Sequence, residues 1–235
     1  MKTNSYSVSV IVPVYNEVLL VEDSISMISK FMDENFDDYE IVIIESGSMD
    51  GSREICDRLA TTFQKINVVH EEKKSGFGSA LKLGYALASK DLVWLVVVDM
   101  PFPLETILQA LPLFEEHDCV FSYRDQDDRG PIKRLRSYLY NTFVKLILNV
   151  KVKHINSAFR VFKRKTIQEL PLISTGWTLD AEVLYEITRR NIRYAEIPVS
   201  LRDRTVGTTT VTFWDPFKMI YELVKIVGAK EKTGL

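Results

Sequence analysis

The stretch VSVIVPVYNE, residues 8–17, contains the first regular element of the chain. Its β-branched run over residues 8–12 stops at Pro13, a pattern that predicts a strand followed by a loop. Three further β-branched or apolar runs follow, separated by apolar residues at helical spacing: 40–44, 65–69 and 92–98. Strands that alternate with helices are typical of right-handed βαβ units. We therefore predict an α/β fold with a mostly parallel sheet flanked by helices.

The second half of the chain is less regular. Its pattern predicts strands at 119–123, 159–162 and 192–199, a polar loop at 125–130, and helices at 132–148, 180–190 and 216–230. The strand at 192–199 contains Pro198, which favours a position at an edge of the sheet. Because we find no repeat or linker, we expect residues 1–235 to form a single domain.

The composition is that of an ordinary globular protein, with 46% hydrophobic and 26% charged residues. The 30 basic and 32 acidic side chains leave a net charge of -2, so we expect no binding to nucleic acid. Cys56 and Cys119 lie far apart and only three histidines accompany them, which argues against a zinc site or a disulfide framework. The polar start and the short apolar run at 92–98 favour a cytoplasmic protein without a membrane span.

Polar or glycine-rich segments follow all four of the first predicted strands. They are residues 13–17, 45–52 and 73–78, together with Asp99. Serine, glycine, aspartate and proline are common in turns, so each segment taken alone is explained as an ordinary turn. The carboxyl ends of parallel strands, however, lie at one edge of a sheet, and ligands bind at that edge. An aromatic ring, carboxylates, a lysine and exposed backbone amides together suit a base, a ribose and a diphosphate.

The ordered set of motifs resembles family 2 glycosyltransferases, which have the GT-A (Rossmann-like) fold. The motifs are VSVIVPVYNE, then ESGSMDGS at 45–52, GFGSA at 76–80, NSAFRVF at 156–162, DAE at 180–182 and RTVG at 204–207. Within the family the chain is similar to polyprenyl-phosphate sugar transferases such as dolichyl-phosphate mannose synthase. The resemblance implies inverting sugar transfer from a nucleotide diphosphate to polyprenyl (dolichyl-type) phosphate. It also implies a nucleotide-binding half, 1–100, and an acceptor half, 101–235.

The resemblance further implies a donor site and a divalent cation. The implied donor-binding residues are Pro13, Tyr15, Glu17, Glu45, Gly47, Asp50, Lys74, Gly76 and Asp99. Asp99 matches the second acid of an Asp-x-Asp motif and would ligate Mg²⁺ or Mn²⁺, which neutralises the leaving diphosphate. Val97, Ser46 and Thr210 depart from the family pattern. These departures leave a weakened metal site, or a degenerate nucleotide-binding relative, as alternatives.

The acceptor phosphate is expected at basic and hydroxyl side chains, because guanidinium groups fork onto phosphate oxygens. The implied residues are Arg124, Arg134, Ser137, Arg160 and Arg204. A phosphate acceptor is largely deprotonated at neutral pH and needs no general base. A sugar hydroxyl would need one, and Asp180 or Glu182 could serve. Peripheral membrane contact could use the aromatic segment 213–221 or the helix at 139–148, although the terminal helix could instead pack on the domain.

Overall fold

The computed structural model describes residues 6–125, 130–200 and 215–233. Its strands are β1 Val8–Val14, β2 Tyr39–Glu45, β3 Ile66–His70, β4 Leu92–Leu95, β5 Cys119–Arg124, β6 Arg160–Lys163 and β7 Tyr194–Val199. Its helices are α1 Val21–Asn35, α2 Ser52–Thr62, α3 Phe77–Leu87, α4 Thr106–Ala110, α5 Pro131–Leu148, α6 Arg164–Gln168, α7 Leu179–Arg189 and α8 Asp215–Thr233, with a 3₁₀ helix at Leu111–Glu115.

The seven strands form one sheet in the order β3-β2-β1-β4-β6-β5-β7. Strand β1 lies parallel between β2 and β4, β3 lies parallel to β2, and β5 lies parallel to β7. Strand β6 runs antiparallel to both of its neighbours, β4 and β5. The predicted α/β fold with a mostly parallel sheet is confirmed, and β7 lies at an edge as expected. The reversed direction of β6 was not predicted.

Helices cover both faces of the sheet, so the strands are apolar on both sides. Along β1, Val10 and Val12 point into a core shared with α1, whereas Ile11 points into a second core shared with α3 and α7. Helix α3 approaches β1 closely at Gly84, where a Cβ atom would overlap the side chain of Ile11. The two cores therefore fix the sheet firmly between its helices.

Strand β4 is shorter than the predicted run at 92–98 because the chain turns after Leu95. The Val96 amide still donates to the Ile11 carbonyl at 3.0 Å, but the Met100 amide then closes a turn onto the Val97 carbonyl at 2.9 Å. Met100 has a positive φ of 36° within this turn. The turn places Asp99 at the carboxyl end of β4, next to the end of β1.

Helix α8 packs on the domain through its apolar side. Met219 and Leu223 are buried. The buried ammonium of Lys230 lies 2.8 Å from Glu182 and 2.6 Å from Glu186, both on α7. Of the two positions that we considered for the terminal helix, the structure thus shows packing on the domain. None of the helices in the described ranges is both long and apolar enough to cross a lipid bilayer.

Candidate functional site

The loops that follow β1 and β2 are joined by hydrogen bonds. The Asn16 amide donates to Ser48 Oγ at 3.0 Å, and the side-chain oxygen of Asn16 accepts from the Met49 amide at 3.0 Å. The Val18 amide donates to Asp50 Oδ2 at 3.0 Å. The structure therefore brings together the first two predicted donor segments at one edge of the sheet.

Both carboxylate oxygens of Asp50 accept hydrogen bonds where these two loops meet. Besides Val18, it accepts from the amide and the hydroxyl of Ser52 at the start of α2, at 3.0 and 2.6 Å. Burial alone would raise the pKa of Asp50, but these hydrogen bonds lower it below its usual value. The carboxylate of Asp50 thus shapes the loop, and its contact with the donor stays a prediction.

Glu45 lies at the end of β2 with its side chain completely buried. Its Oε1 accepts from the Ser48 amide at 2.5 Å, and its Oε2 lies 2.9 Å from His70 Nδ1. The other ring nitrogen of His70 lies 2.8 Å from Asp57. Burial opposes ionisation of Glu45, yet Ser48 and His70 lower its pKa overall. We expected Glu45 to contact the base or ribose, but its carboxylate is occupied by protein partners. His70 was not among the site residues predicted from the sequence.

The segment after β3 closes onto the same edge. The Lys74 ammonium lies 3.8 Å from the centroid of the Tyr15 ring, within cation–π range. Gly47 has a φ of +71°, and a Cβ atom there would lie 3.1 Å from the backbone of Lys73. Gly76 has a φ of +106°, and a Cβ there would overlap the carbonyl of Thr175. Both glycines are therefore required by backbone conformation and close approach.

Pro13, Glu17 and Asp99 complete the predicted donor residues. Pro13 pairs with Ile44 at the end of β1, and the Glu17 amide donates to the Ser52 hydroxyl at 2.9 Å. Asp99 is half-buried at the end of β4. The predicted donor residues thus lie along one edge of the sheet, and several of them hold the loops rather than presenting free side chains.

The residues at this edge offer few metal ligands. Within the described part of the chain, no group of three or more His, Cys, Asp or Glu side chains could hold a metal ion. Asp99 stands at the end of β4, and Val97 replaces the other acid of the motif. Mg²⁺ needs only one or two carboxylates when phosphates and water supply the remaining oxygens. The residues present therefore fit a cation that a bound diphosphate also ligates.

A polar cavity of about 170 Å³ lies at the carboxyl end of β5. It is lined by Ser122, Arg124, Ser137, Tyr140, Asn141, His154, Asn156, Ser157 and Ala158. Strand β5 runs in the direction of β1, whereas β6 runs in the opposite direction. The end of β5 and the segment before β6 therefore reach the same edge as the donor loops. Among the residues that the structure describes, the lining contains a guanidinium, hydroxyls, amides and an imidazole, but no carboxylate.

Hydrogen bonds fix the walls of this cavity. The Arg124 amide donates to His154 Nδ1 at 3.2 Å, and the Ile155 amide donates to Asn141 Oδ1 at 2.7 Å. Because Nδ1 of His154 accepts, the hydrogen of the neutral ring lies on Nε2. His154 and Asn141 were not predicted from the sequence. Asn141 follows Ser137 by four residues on α5, so helical spacing could have identified it.

The structure brings two of the five predicted acceptor residues into this cavity, Arg124 and Ser137. Arg134 lies on α5 one turn before Ser137, and its side chain is exposed. Arg204 lies outside the described residues, as does Thr210.

Arg160, the fifth predicted acceptor residue, lies in the wall rather than in the cavity. Its side chain is 9% exposed, and its guanidinium donates to the Ser157 carbonyl at 2.8 Å and to the carboxylate of Asp180. Burial raises the pKa of Asp180 to about 6, although Arg160 acts in the opposite direction. The pair therefore holds the cavity wall against α7.

Glu182 is completely buried, and its carboxylate bonds within the protein. Its two oxygens accept from the amides of Ile173 and Ser174 at 2.9 and 2.8 Å, and Lys230 also contacts it. We considered Glu182 as a general base for a hydroxyl acceptor. The structure corrects that expectation, because a carboxylate without exposed surface does not reach a substrate.

Residues 9–170 match the protein family described as Glycosyl transferase family 2. The chain is 29% identical over 203 residues to glycosyltransferase AglD of Haloferax volcanii, covering 82% of this chain and 32% of that protein. It is 26% identical over 219 residues to undecaprenyl-phosphate 4-deoxy-4-formamido-L-arabinose transferase of Aeromonas hydrophila, covering 92% of this chain and 66% of that protein. The chain thus spans from about a third to just under two thirds of the length of these relatives.

Two solved structures show the same fold. One is glucosyl-3-phosphoglycerate synthase from Mycobacterium tuberculosis, in complex with Mn²⁺, UDP-glucose and phosphoglyceric acid. Its TM-score is 0.72 at 21% identity, over 95% of this chain and 80% of that one. The other is mannosyltransferase PcManGT from Pyrobaculum calidifontis with GDP-Man and Mn²⁺, with a TM-score of 0.66 at 22% identity, over 88% and 59% of the chains. The predicted GT-A fold is confirmed, and the chain belongs to glycosyl transferase family 2.

Proposed function

We propose that this chain transfers a sugar from a nucleotide-diphosphate donor to the phosphate of a polyprenyl carrier, with inversion at the anomeric carbon. The observation that carries the proposal is the lining of the polar cavity. Arg124 supplies a positive charge there, Ser137, Asn141 and His154 supply neutral polar groups, and none of the described lining residues is a carboxylate. Such a lining suits an anionic phosphate better than a neutral sugar hydroxyl.

A phosphate acceptor also fits the surroundings of the two carboxylates that could act as a base. Asp180 bonds to Arg160, and Glu182 bonds to Lys230 and to backbone amides. A phosphate monoester is largely ionised at pH 7, so its oxygen attacks the anomeric carbon without losing a proton to the protein. The bond from that carbon to the diphosphate breaks as the new bond forms, and a single displacement inverts the configuration.

On the donor side, the loops after β1, β2 and β3 would hold the nucleotide. Tyr15 and Lys74 offer a ring and a positive charge, while Glu45 and Asp50 keep the loops in shape. The names of the two solved structures, with UDP-glucose or GDP-Man and Mn²⁺, support a nucleotide-sugar donor and a divalent cation. Asp99 would ligate that cation together with the diphosphate. A bound Mg²⁺ or Mn²⁺ neutralises the negative charge that develops on the leaving group.

A lipid-borne acceptor is supported by one relative in particular. The Aeromonas hydrophila protein is named as an undecaprenyl-phosphate sugar transferase. We therefore favour polyprenyl phosphate over a water-soluble phosphate ester.

A second candidate function is transfer to a sugar hydroxyl, with Asp180 as the general base. The observation in its favour is the pKa of about 6, which is close to the value that a base needs at neutral pH. Its burial and its ion pair with Arg160 speak against it. A transferase in which Asp180 is the base loses turnover on change to asparagine, while its donor affinity is kept.

The first experiment measures thermal stabilisation by UDP, GDP and their sugar conjugates, with and without Mn²⁺. A ligand at 100 times its dissociation constant adds about 2.7 kcal/mol to the free energy of unfolding. We expect a metal-dependent shift with one nucleotide, and loss of the metal dependence in Asp99→Ala. Absence of a shift with every nucleotide would contradict the donor site and favour the degenerate relative.

The second experiment tests the acceptor. We expect Arg124→Gln to slow transfer to polyprenyl phosphate by about 10- to 100-fold, because a hydrogen bond to a charged group contributes about 1.5–3 kcal/mol. The matched control is Arg58→Gln, which removes a guanidinium from the exposed surface of α2. Donor-induced stabilisation should be unchanged in both variants. Equal transfer rates in the two variants would contradict the acceptor assignment.

A further inference from the structure

Helix α5 carries large apolar side chains on two opposite faces. Val144 and Leu148 on its inner face are buried in the core. Its outer face carries the outer stripe, which consists of Leu135, Tyr138, Leu139, Phe143 and Leu146, and all five side chains are exposed. A helix that is apolar on both faces is normally covered on both.

The outer stripe is continuous. Leu135, Leu139 and Phe143 follow one another at spacings of four residues, and Leu146 is 77% exposed. Among the described residues, no other helix exposes so many large apolar side chains. A contiguous exposed apolar patch of this kind marks an interaction surface.

The charges of α5 indicate what covers the stripe. Within residues 131–148 the sequence contains Lys133, Arg134, Arg136 and Lys145, and it contains no aspartate or glutamate. A helix that combines basic residues with an exposed apolar face is suited to the interface of an anionic lipid bilayer.

The position of α5 points to the same partner. The inner side of the helix supplies Ser137, Tyr140 and Asn141 to the polar cavity. A helix with its side chains is about 10 Å across. A surface that covers the outer stripe therefore lies within one helix diameter of the cavity, where an amphipathic lipid could reach with its headgroup.

We propose that the outer stripe of α5 docks on the surface of an anionic lipid bilayer. Leu139 and Leu146 insert among the acyl chains, and the exposed Arg134 of the same helix contacts the lipid headgroups. This inference deepens the proposed function and rests on it, because docking at this face presents a lipid-borne phosphate to the cavity that contains Arg124.

The test is flotation of the purified protein with vesicles of phosphatidylcholine alone or of equimolar phosphatidylcholine and phosphatidylglycerol. We expect binding to the anionic vesicles. The double variant Leu139→Glu/Leu146→Glu should lower partitioning at least about tenfold, because it removes two inserted side chains and adds two negative charges. Increasing salt should weaken the binding of the wild type.

The matched control is Met27→Glu/Leu87→Glu, which changes two exposed apolar side chains on α1 and α3 with the same change of charge. We expect this variant to bind anionic vesicles as the wild type does. Equal vesicle binding by the two double variants would overturn the proposal, and so would a wild type that binds neither vesicle. A wild-type dimer that Leu139→Glu/Leu146→Glu converts to a monomer would show that a second copy covers the stripe instead.

Failure of docking can be told apart from failure of the proposed function. The vesicles contain no polyprenyl phosphate, so their binding does not depend on catalysis. Nucleotide-induced thermal stabilisation, in turn, needs no lipid and should be unchanged in Leu139→Glu/Leu146→Glu. A wild type that binds nucleotide but neither vesicle would refute docking alone, and a wild type that binds anionic vesicles but no nucleotide would refute the donor site alone.

Discussion

We expect Gly78→Ala to destabilise the protein, although alanine is normally preferred to glycine inside a helix. Gly78 is the second residue of α3, and a Cβ atom there would lie 2.6 Å from the carbonyl oxygen of Gly176 and 2.9 Å from the carbonyl carbon of Thr175. Ordinary contacts begin near 3.4 Å. The loop at 175–177 must therefore move by about 0.8 Å to admit the methyl group.

The loop cannot move without loss of other contacts. The Ser79 amide donates to the Thr175 carbonyl at 3.2 Å, and the rings of Phe77 and Trp177 stack with centroids 4.3 Å apart. Overpacking costs about 1–3 kcal/mol, and the helix preference for alanine returns about 0.5–1 kcal/mol. The midpoints of these ranges leave a net loss of about 1 kcal/mol, which lowers the melting temperature by about 2–4 °C for a chain of this size.

The control is Gly228→Ala in α8, where a Cβ atom meets none of the described residues within 4 Å. The same chemical change should there stabilise the protein by about 0.5–1 kcal/mol. Urea unfolding of the two variants and the wild type, followed by tryptophan fluorescence, measures both effects. A Gly78→Ala protein as stable as Gly228→Ala would refute the close approach of the 175–177 loop to α3.

Three further predictions concern buried charges. Asp180→Asn leaves Arg160 without its counter-charge and should lower the free energy of unfolding, measured by urea titration, by about 3–5 kcal/mol. Replacement of both Asp180 and Arg160 by apolar residues should restore most of that lost stability. Lys230→Met should cost a similar amount, about 3–5 kcal/mol, because the buried Glu182 loses the ammonium beside it, while Glu186 keeps Arg190 at 3.0 Å; unchanged stability in urea would show that Glu182 does not depend on Lys230. Burial alone would lower the pKa of His70, but the carboxylates beside it raise the pKa above the usual 6.5. Its stabilising contact with Glu45 is therefore complete below pH 6.5 and is lost as the pH rises through the folded-state pKa, so His70→Gln should remove this decline from a plot of unfolding free energy against pH.

Local patterns were sufficient to predict most of the fold. The β-branched runs at 8–12 and 40–44 became β1 and β2, since such side chains fit a sheet that is covered on both faces. The antiparallel direction of β6 was not predictable, because the run at 159–162 has the same composition in either direction. Strand direction depends on the path of the chain between elements, which the periodicity of a single strand does not encode.

The candidate site was predicted less completely. The edge that contains Tyr15 and Asp99 followed from the polar segments after the strands, because parallel strands end at one edge. The sequence did not indicate that Glu45, Asp180 and Glu182 bond within the protein. In the sequence, a carboxylate that binds a ligand cannot be distinguished from one that pairs with a buried cation. Only contacts between residues that are far apart along the chain distinguish the two roles.

The position of Lys230 has a consequence for how the chain folds during synthesis. Glu186 also pairs with Arg190 of its own helix, but the ammonium beside the completely buried Glu182 comes from Lys230, on the last helix of the chain. Until α8 has left the ribosome, dehydration of the Glu182 carboxylate is unfavourable. The second core around this part of α7 therefore closes late in synthesis, once Lys230 is present.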